Sequence, residues 1–163
     1  FWFVMNLIDL RRLTRRQKHR SRWPWQRPRY QIWHRSHLQY TGPEEFVAWW
    51  DDRKMGTGGK TPYHCLVKRN GDIWWLVPWK KIAPGAAPLN SKCYNIAVEQ
   101  DLRNLPPSGA QWKACKELTR FLAFDHGLLE PLGHSEATGK KDPCPGRFFD
   151  LDALRDIMLE GED

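Results

Sequence analysis

A chain of 163 residues, 40% of them hydrophobic, is long enough for one domain with a sizeable core and too apolar for bulk disorder. Its formal net charge of +7 is unevenly spread: residues 1–30 carry nine basic side chains against Asp9 alone, a net +8, and the other residues sum to −1. No stretch approaches the ~18 apolar residues of a membrane span, residues 1–8 lack the basic start and small-residue cleavage site of a signal peptide, and four cysteines spaced 28, 22 and 29 apart give neither a cysteine-only zinc ribbon nor a disulfide framework.

In chain order, residues 5–10 read as a short strand or a strap. Residues 11–30, rich in Arg and punctuated by Trp23-Pro24-Trp25 and Pro28, predict an extended, irregular segment, and residues 1–30 together read as a basic N-terminal arm or strap. Such an arm prefers polyanions: nucleic acid, anionic lipid or anionic envelope polymers. The domain proper then spans residues 31–163. Residues 31–34 predict a buried strand that delivers His34 at its end. Thr41-Gly42-Pro43-Glu44-Glu45 has helix-start chemistry, with Pro early and acids in the first turn, for a helix running to about Lys54. Gly56-Thr57-Gly58-Gly59-Lys60 is a loop without phosphate-loop spacing.

Residues 63–69 and 72–77 flank Asn70-Gly71 and predict a hairpin. Residues 95–99 predict a further strand. Ser108 with Gln111 forms a capping-box pattern, followed by Trp112, Cys115, Leu118, Thr119 and Leu122 at helical spacing to about Asp125. Cys65 and Cys115 sit in apolar periodic segments as small buried hydrophobes, and most of the ten tryptophans are assigned to core packing. Glycines and prolines break residues 133–150 into a loop, and residues 150–159 predict a last helix with Leu151, Leu154, Ile157 and Met158 on one side. There is no internal repeat and no second domain, so the fold class is α/β.

The loop 133–150 gathers His134, Glu136, Lys140, Lys141, Asp142 and Cys144. Zinc accepts imidazole and thiolate together in tetrahedral geometry. Two ligands do not make a stable site, and the third candidate is His34, in Trp33-His34-Arg35-Ser36.

A strand ending in His34-x-Ser36, then Tyr63-His64-x-x-Val67-x-x-x-Gly71, then Gly133-His134-x-Glu136 and Cys144-Pro145-Gly146-x-x-Phe149, resembles the zinc-dependent N-acetylmuramoyl-L-alanine amidases. That family includes phage lysozyme-type amidases, bacterial cell-wall amidases and animal peptidoglycan recognition proteins. The resemblance covers residues 32–158 and implies a mixed central β-sheet flanked by helices. It implies Zn2+ held by His34, His134 and a third ligand, for which Cys144 is the choice and Asp142 the alternative. It implies that Tyr63 and a lysine assist. The family's lysine position, two before the Cys, is filled here by Asp142, which leaves Lys140 or Lys141. Glu136 reads as a group hydrogen-bonded to a ligand or to water near it, or as a surface carboxylate. His64 either orients a neighbour or is a core histidine. Many relatives carry a His in the loop where this chain has Ala83-Pro84-Gly85-Ala86-Ala87, so substrate contacts differ there.

The implied activity is hydrolysis, by a zinc-activated water, of the amide between N-acetylmuramic acid and L-alanine in peptidoglycan. The implied setting is a phage or prophage endolysin, made in the cytoplasm without a signal peptide and acting on the wall after release, with the basic arm attracting anionic cell-envelope polymers. Two other readings compete. A non-catalytic peptidoglycan-binding module would not need the Cys this chain retains, and a nucleic-acid binder led by the arm would leave the His–Cys constellation idle.

Overall fold

The six residues of Cys93–Val98 are all buried, as a parallel strand covered on both faces requires. They form the fifth strand, β5, of a six-stranded mixed sheet in a computed structural model that describes residues 5–36, 41–52 and 56–160. The other strands are β1 (Leu7–Asp9), β2 (Tyr30–Arg35), β3 (Cys65–Val67), β4 (Ile73–Trp75) and β6 (Glu130–Gly133). Their order is β1-β4-β3-β5-β2-β6, with β3 and β4 the antiparallel pair and the remaining neighbours parallel.

Alternation along the strands builds two cores. On one face Trp33, Cys65, Val67, Ile96 and Val98 pack with Cys115 and Leu118 of helix α2 (Gly109–Asp125). Leu154 and Ile157, from the C-terminal helix Leu151–Glu160, join the same cluster. On the other face Leu66, Trp74 and Ala97 meet Phe46, Val47 and Trp50 of helix α1 (Pro43–Asp51). Burying each Val, Leu, Ile or Phe of these clusters is worth roughly 1.5–3 kcal/mol. The predicted α/β architecture, a central sheet with helices on both sides, is the one observed. No helix among the described residues is long and apolar enough to cross a membrane.

The capping box at α2 forms as read: Ser108 Oγ accepts from Gln111 N–H at 3.1 Å and Gln111 Oε1 accepts from Ser108 N–H at 3.4 Å. Gln111 Nε2 also donates to the carbonyls of Val67 and Glu99, each at 3.1 Å, and so fastens the helix start to the ends of β3 and β5. The predicted hairpin is present but shorter. Its turn holds Gly71 at φ +93°, a conformation that favours glycine, and Gly71 N–H reaches Lys68 O at 2.9 Å.

Three expectations are corrected. Residues 11–30 are not irregular throughout, because Arg11–Gln17 coils into a 3-10 helix. Leu10, Thr14 and Gln17 face inward at helical spacing while Arg12, Arg15 and Arg16 face out. Thr14 Oγ1 donates to Leu76 O at 2.7 Å, and Gln17 receives Thr61 N–H at 2.7 Å. Arg11–Gln17 is therefore packed against the domain along its Leu10, Thr14 and Gln17 side. Strand β6 went unanticipated because Glu130-Pro131-Leu132-Gly133 has no β-branched residue; as an edge strand paired to β2 it tolerates its proline. Within the expected loop 133–150, His134–Thr138 forms a short helix, α3, closed by Gly139 at φ +72°; the C-terminal helix is accordingly α4. For α1, the expected end at Lys54 lies outside the described residues.

Candidate metal centre

The parallel register of β2 and β5 sets His34 beside Ala97 and Ile32 beside Asn95. Asn95 is fully buried, and its Oδ1 lies 2.8 Å from His34 Nε2. Its Nδ2 donates to Ala83 O at 2.9 Å, which identifies the amide oxygen as the atom facing His34. His34 Nε2 must then carry the proton, and Nδ1 keeps the lone pair that a metal needs. Behind Asn95 stands His64, whose Nδ1 accepts the Asn95 backbone N–H at 3.0 Å and whose Nε2 donates to Lys81 O at 2.8 Å. Burial, with the Arg22 charge assisting, lowers the His64 pKa to about 3, so it is a neutral hydrogen-bonding ring that orients its neighbour. Gly85 permits this arrangement: a Cβ there would stand 2.6 Å from Pro62 O and 2.9 Å from Asn95 Cγ. The loop 83–87 closes over Asn95.

His134 begins α3, directly after β6. Ser135 stitches this turn to the Cys144 segment: its N–H donates to Cys144 O at 3.1 Å, its Oγ donates to Asp142 O at 2.5 Å, and it accepts Cys144 N–H at 2.6 Å. From the β2 side, buried Arg35 closes on Pro143 O and pairs with Asp142 Oδ2 at 3.2 Å. Gly146, at φ +136°, lies against the Leu102 backbone, where a Cβ would be 2.4 Å from Leu102 O.

These constraints bring one ligand atom each from His34, His134 and Cys144 within 4.8 Å of one another. The two imidazole centroids are 4.6 Å apart with planes tilted by 42°. Burial pushes the Cys144 thiol up, and the backbone and guanidinium of Arg35 pull the other way. Two nitrogens and a sulfur, with the thiol half-buried beside a cation, fit zinc. Asp142, the alternative third ligand, is not in this cluster; its exposed carboxylate is paired with Arg35.

Tyr63 is buried, its ring 5.0 Å from that of His34. Burial first, and the Cys144 charge second, push its phenol up, so the hydroxyl stays protonated as a hydrogen-bond donor. Lys140 and Lys141 are exposed on the approach to Cys144, and the charge of Lys140 acts on the thiol. Glu136, read as a group bonded near a ligand or as a surface carboxylate, is exposed and ion-paired: Arg155 Nη2 donates to both its oxygens at 2.8 and 2.9 Å, and Gly133 N–H donates to Oε1 at 3.0 Å. It holds the start of α3 against α4. Sequence reading missed Asn95, Ser135 and Arg35. The available signals were a polar residue inside an apolar strand and two polar neighbours of the candidate ligands.

Residues 24–147 match the family model of N-acetylmuramoyl-L-alanine amidase. No curated protein sequence matches the chain. Among solved structures, the endolysin N-acetylmuramoyl-L-alanine amidase LysCS of Clostridium intestinale URNW superposes with TM-score 0.76 at 15% identity, covering 97% of this chain and 99% of that one. The Ph2119 endolysin of a Thermus scotoductus MAT2119 bacteriophage gives 0.77 at 22% identity, covering 93% and 98%. Drosophila PGRP-LB gives 0.68 at 20% identity, covering 90% and 91%. At these identities the likeness shows a shared fold.

Proposed function

The chain belongs to the N-acetylmuramoyl-L-alanine amidase family, a family of peptidoglycan hydrolases, and on that premise we propose that it is a zinc enzyme cutting the amide between the lactyl group of N-acetylmuramic acid and L-alanine. The observation that carries this reading is the approach of His34, His134 and Cys144 to within 4.8 Å. Three protein ligands leave one position open, and zinc bound there would polarise a carbonyl and bring the pKa of a water to roughly 7.

The protein's own groups do the rest. Asn95 and His64 hold the His34 ring in the tautomer that presents Nδ1. Ser135 and Arg35 hold the Cys144 segment against the His134 turn. Tyr63 O–H donates to the oxygen that gains charge as water adds to the lactyl carbonyl, and a lysine, Lys140 ahead of Lys141, adds positive charge there. The C–N bond then breaks, leaving a lactyl carboxylate and a stem peptide with a free L-alanine amine. A phage or prophage lytic setting, with action on the wall after release, belongs to the same proposal; two of the structures that share the fold are endolysins.

Zinc stoichiometry tests the ligand set. Wild type and Asp142→Ala are expected to hold one equivalent and Cys144→Ala to lose it. Full retention in Cys144→Ala with loss in Asp142→Ala would transfer the ligand role to Asp142.

A further inference from the structure

Two segments distant in sequence, residues 18–30 and 76–98, contain no acidic residue. The fold laces them side by side. Arg22 N–H donates to Lys80 O at 2.9 Å, Ile82 N–H to Arg20 O at 2.8 Å and Arg29 N–H to Lys92 O at 2.7 Å, with a bridge between Ser21 and Lys81. The Arg22 guanidinium is spent inside this seam, on Ser91 O and Cys93 O, each at 2.6 Å. Arg20, Arg27, Arg29, Lys80 and Lys92 remain exposed along it. Glu130, whose N–H donates to Arg29 O, is an acidic residue at its border.

The same seam carries Trp23 and Trp25, 57% and 73% exposed, stacked with centroids 5.3 Å apart and planes 7° from parallel. Their turn is closed twice: Gln26 N–H donates to Trp23 O, and Trp23 N–H donates to Gln26 Oε1, both at 2.9 Å. The two indoles are thus held out into solvent by a built turn. Core packing does not explain them. Exposed aromatic surface rimmed by cations marks an interaction site, and an indole among cations suits the headgroup layer of a bilayer.

We propose that this seam docks the protein on an anionic lipid bilayer, with headgroup phosphates on the five cations and the Trp23–Trp25 pair in the headgroup layer. Cations alone would serve any polyanion. The held-out indole pair is what favours lipid over a soluble polymer, and its mutual stacking leaves each ring only one free face for a base or a sugar. The inference does not depend on the metal centre.

The test is co-sedimentation of the full chain with phosphatidylglycerol–phosphatidylcholine vesicles and with pure phosphatidylcholine vesicles. Two variants are compared at matched melting temperature, Trp23→Ser/Trp25→Ser and Arg27→Gln/Lys80→Gln/Lys92→Gln. The wild type is expected to bind the anionic vesicles, with a blue shift of tryptophan emission, and to ignore the neutral ones. The charge variant should lose roughly fivefold in partitioning per cation removed, and the tryptophan variant should lose most of the blue shift. Equal binding to both vesicle types, no binding, or binding that both variants retain in full would overturn the proposal. So would release from anionic vesicles by equimolar single-stranded DNA with the blue shift persisting on the DNA, which would assign the seam to nucleic acid.

Discussion

Asn95→Ala probes the support beneath the candidate metal centre without touching a ligand. The substitution removes the acceptor for His34 Nε2–H and the donor to Ala83 O, both in a fully buried position. Each stranded polar group costs about 1–3 kcal/mol, so a stability loss of about 2–6 kcal/mol is expected. Loss of Asn95 Oδ1 removes the acceptor that favours the tautomer with Nδ1 unprotonated, and losing such a partner lowers metal affinity about 10–100-fold. Asn95→Asp separates the two effects. It restores an acceptor for His34 but sets a carboxylate oxygen against the Ala83 carbonyl. Its zinc affinity should stay near wild type while its stability falls. The assay is zinc competition against a chromophoric chelator, alongside a urea unfolding curve, at a temperature where all three proteins are folded. A folded Asn95→Ala protein with wild-type zinc affinity would refute the reasoning.

Other outcomes are expected from the same geometry. Tyr63→Phe should keep its zinc and lose on the order of 10²-fold in turnover, the scale of a lost oxyanion donor; an unchanged rate on peptidoglycan removes Tyr63 from the chemistry. Gly146→Ala places a methyl 2.4 Å from Leu102 O at a φ of +136° and should cost at least about 1–3 kcal/mol in a urea titration; a wild-type midpoint would contradict the packing described around Cys144. Acid should weaken the fold through His64, whose pKa is about 3 when folded and 6.5 ordinarily. The unfolded chain takes up the proton first, so this contribution is present above about pH 6.5 and is lost as pH falls toward 3. The melting temperature of His64→Gln should therefore fall less than that of wild type between pH 7 and 5, and equal falls would count against it.

The candidate cluster was legible because its members sit in local contexts that announce themselves: a strand end at His34, a glycine before His134, and Cys144-Pro145-Gly146. The groups that aim those ligands were not. Asn95 lies inside a strand whose neighbours are apolar, and its meaning comes from a parallel register that no local pattern displays. Ser135 and Arg35 acquire partners only when the segment around Cys144 folds back on α3 and β2. Glu136 shows the converse: a carboxylate two residues from the candidate ligand His134, paired with Arg155 of α4. The 3-10 helix Arg11–Gln17 escaped the sequence for a related reason, since its count of arginines masked the inward spacing of Leu10, Thr14 and Gln17.

Mass analysis of the soluble products from purified peptidoglycan tests the proposed activity most directly, run with zinc-loaded protein, chelator-stripped protein and stripped protein resupplied with zinc. The expected result is stem peptide with a free L-alanine amine in the first and third samples and none in the second. Intact lactyl–peptide linkages in every sample, or release that chelation leaves unchanged, would contradict a metal-dependent amidase built on His34, His134 and Cys144.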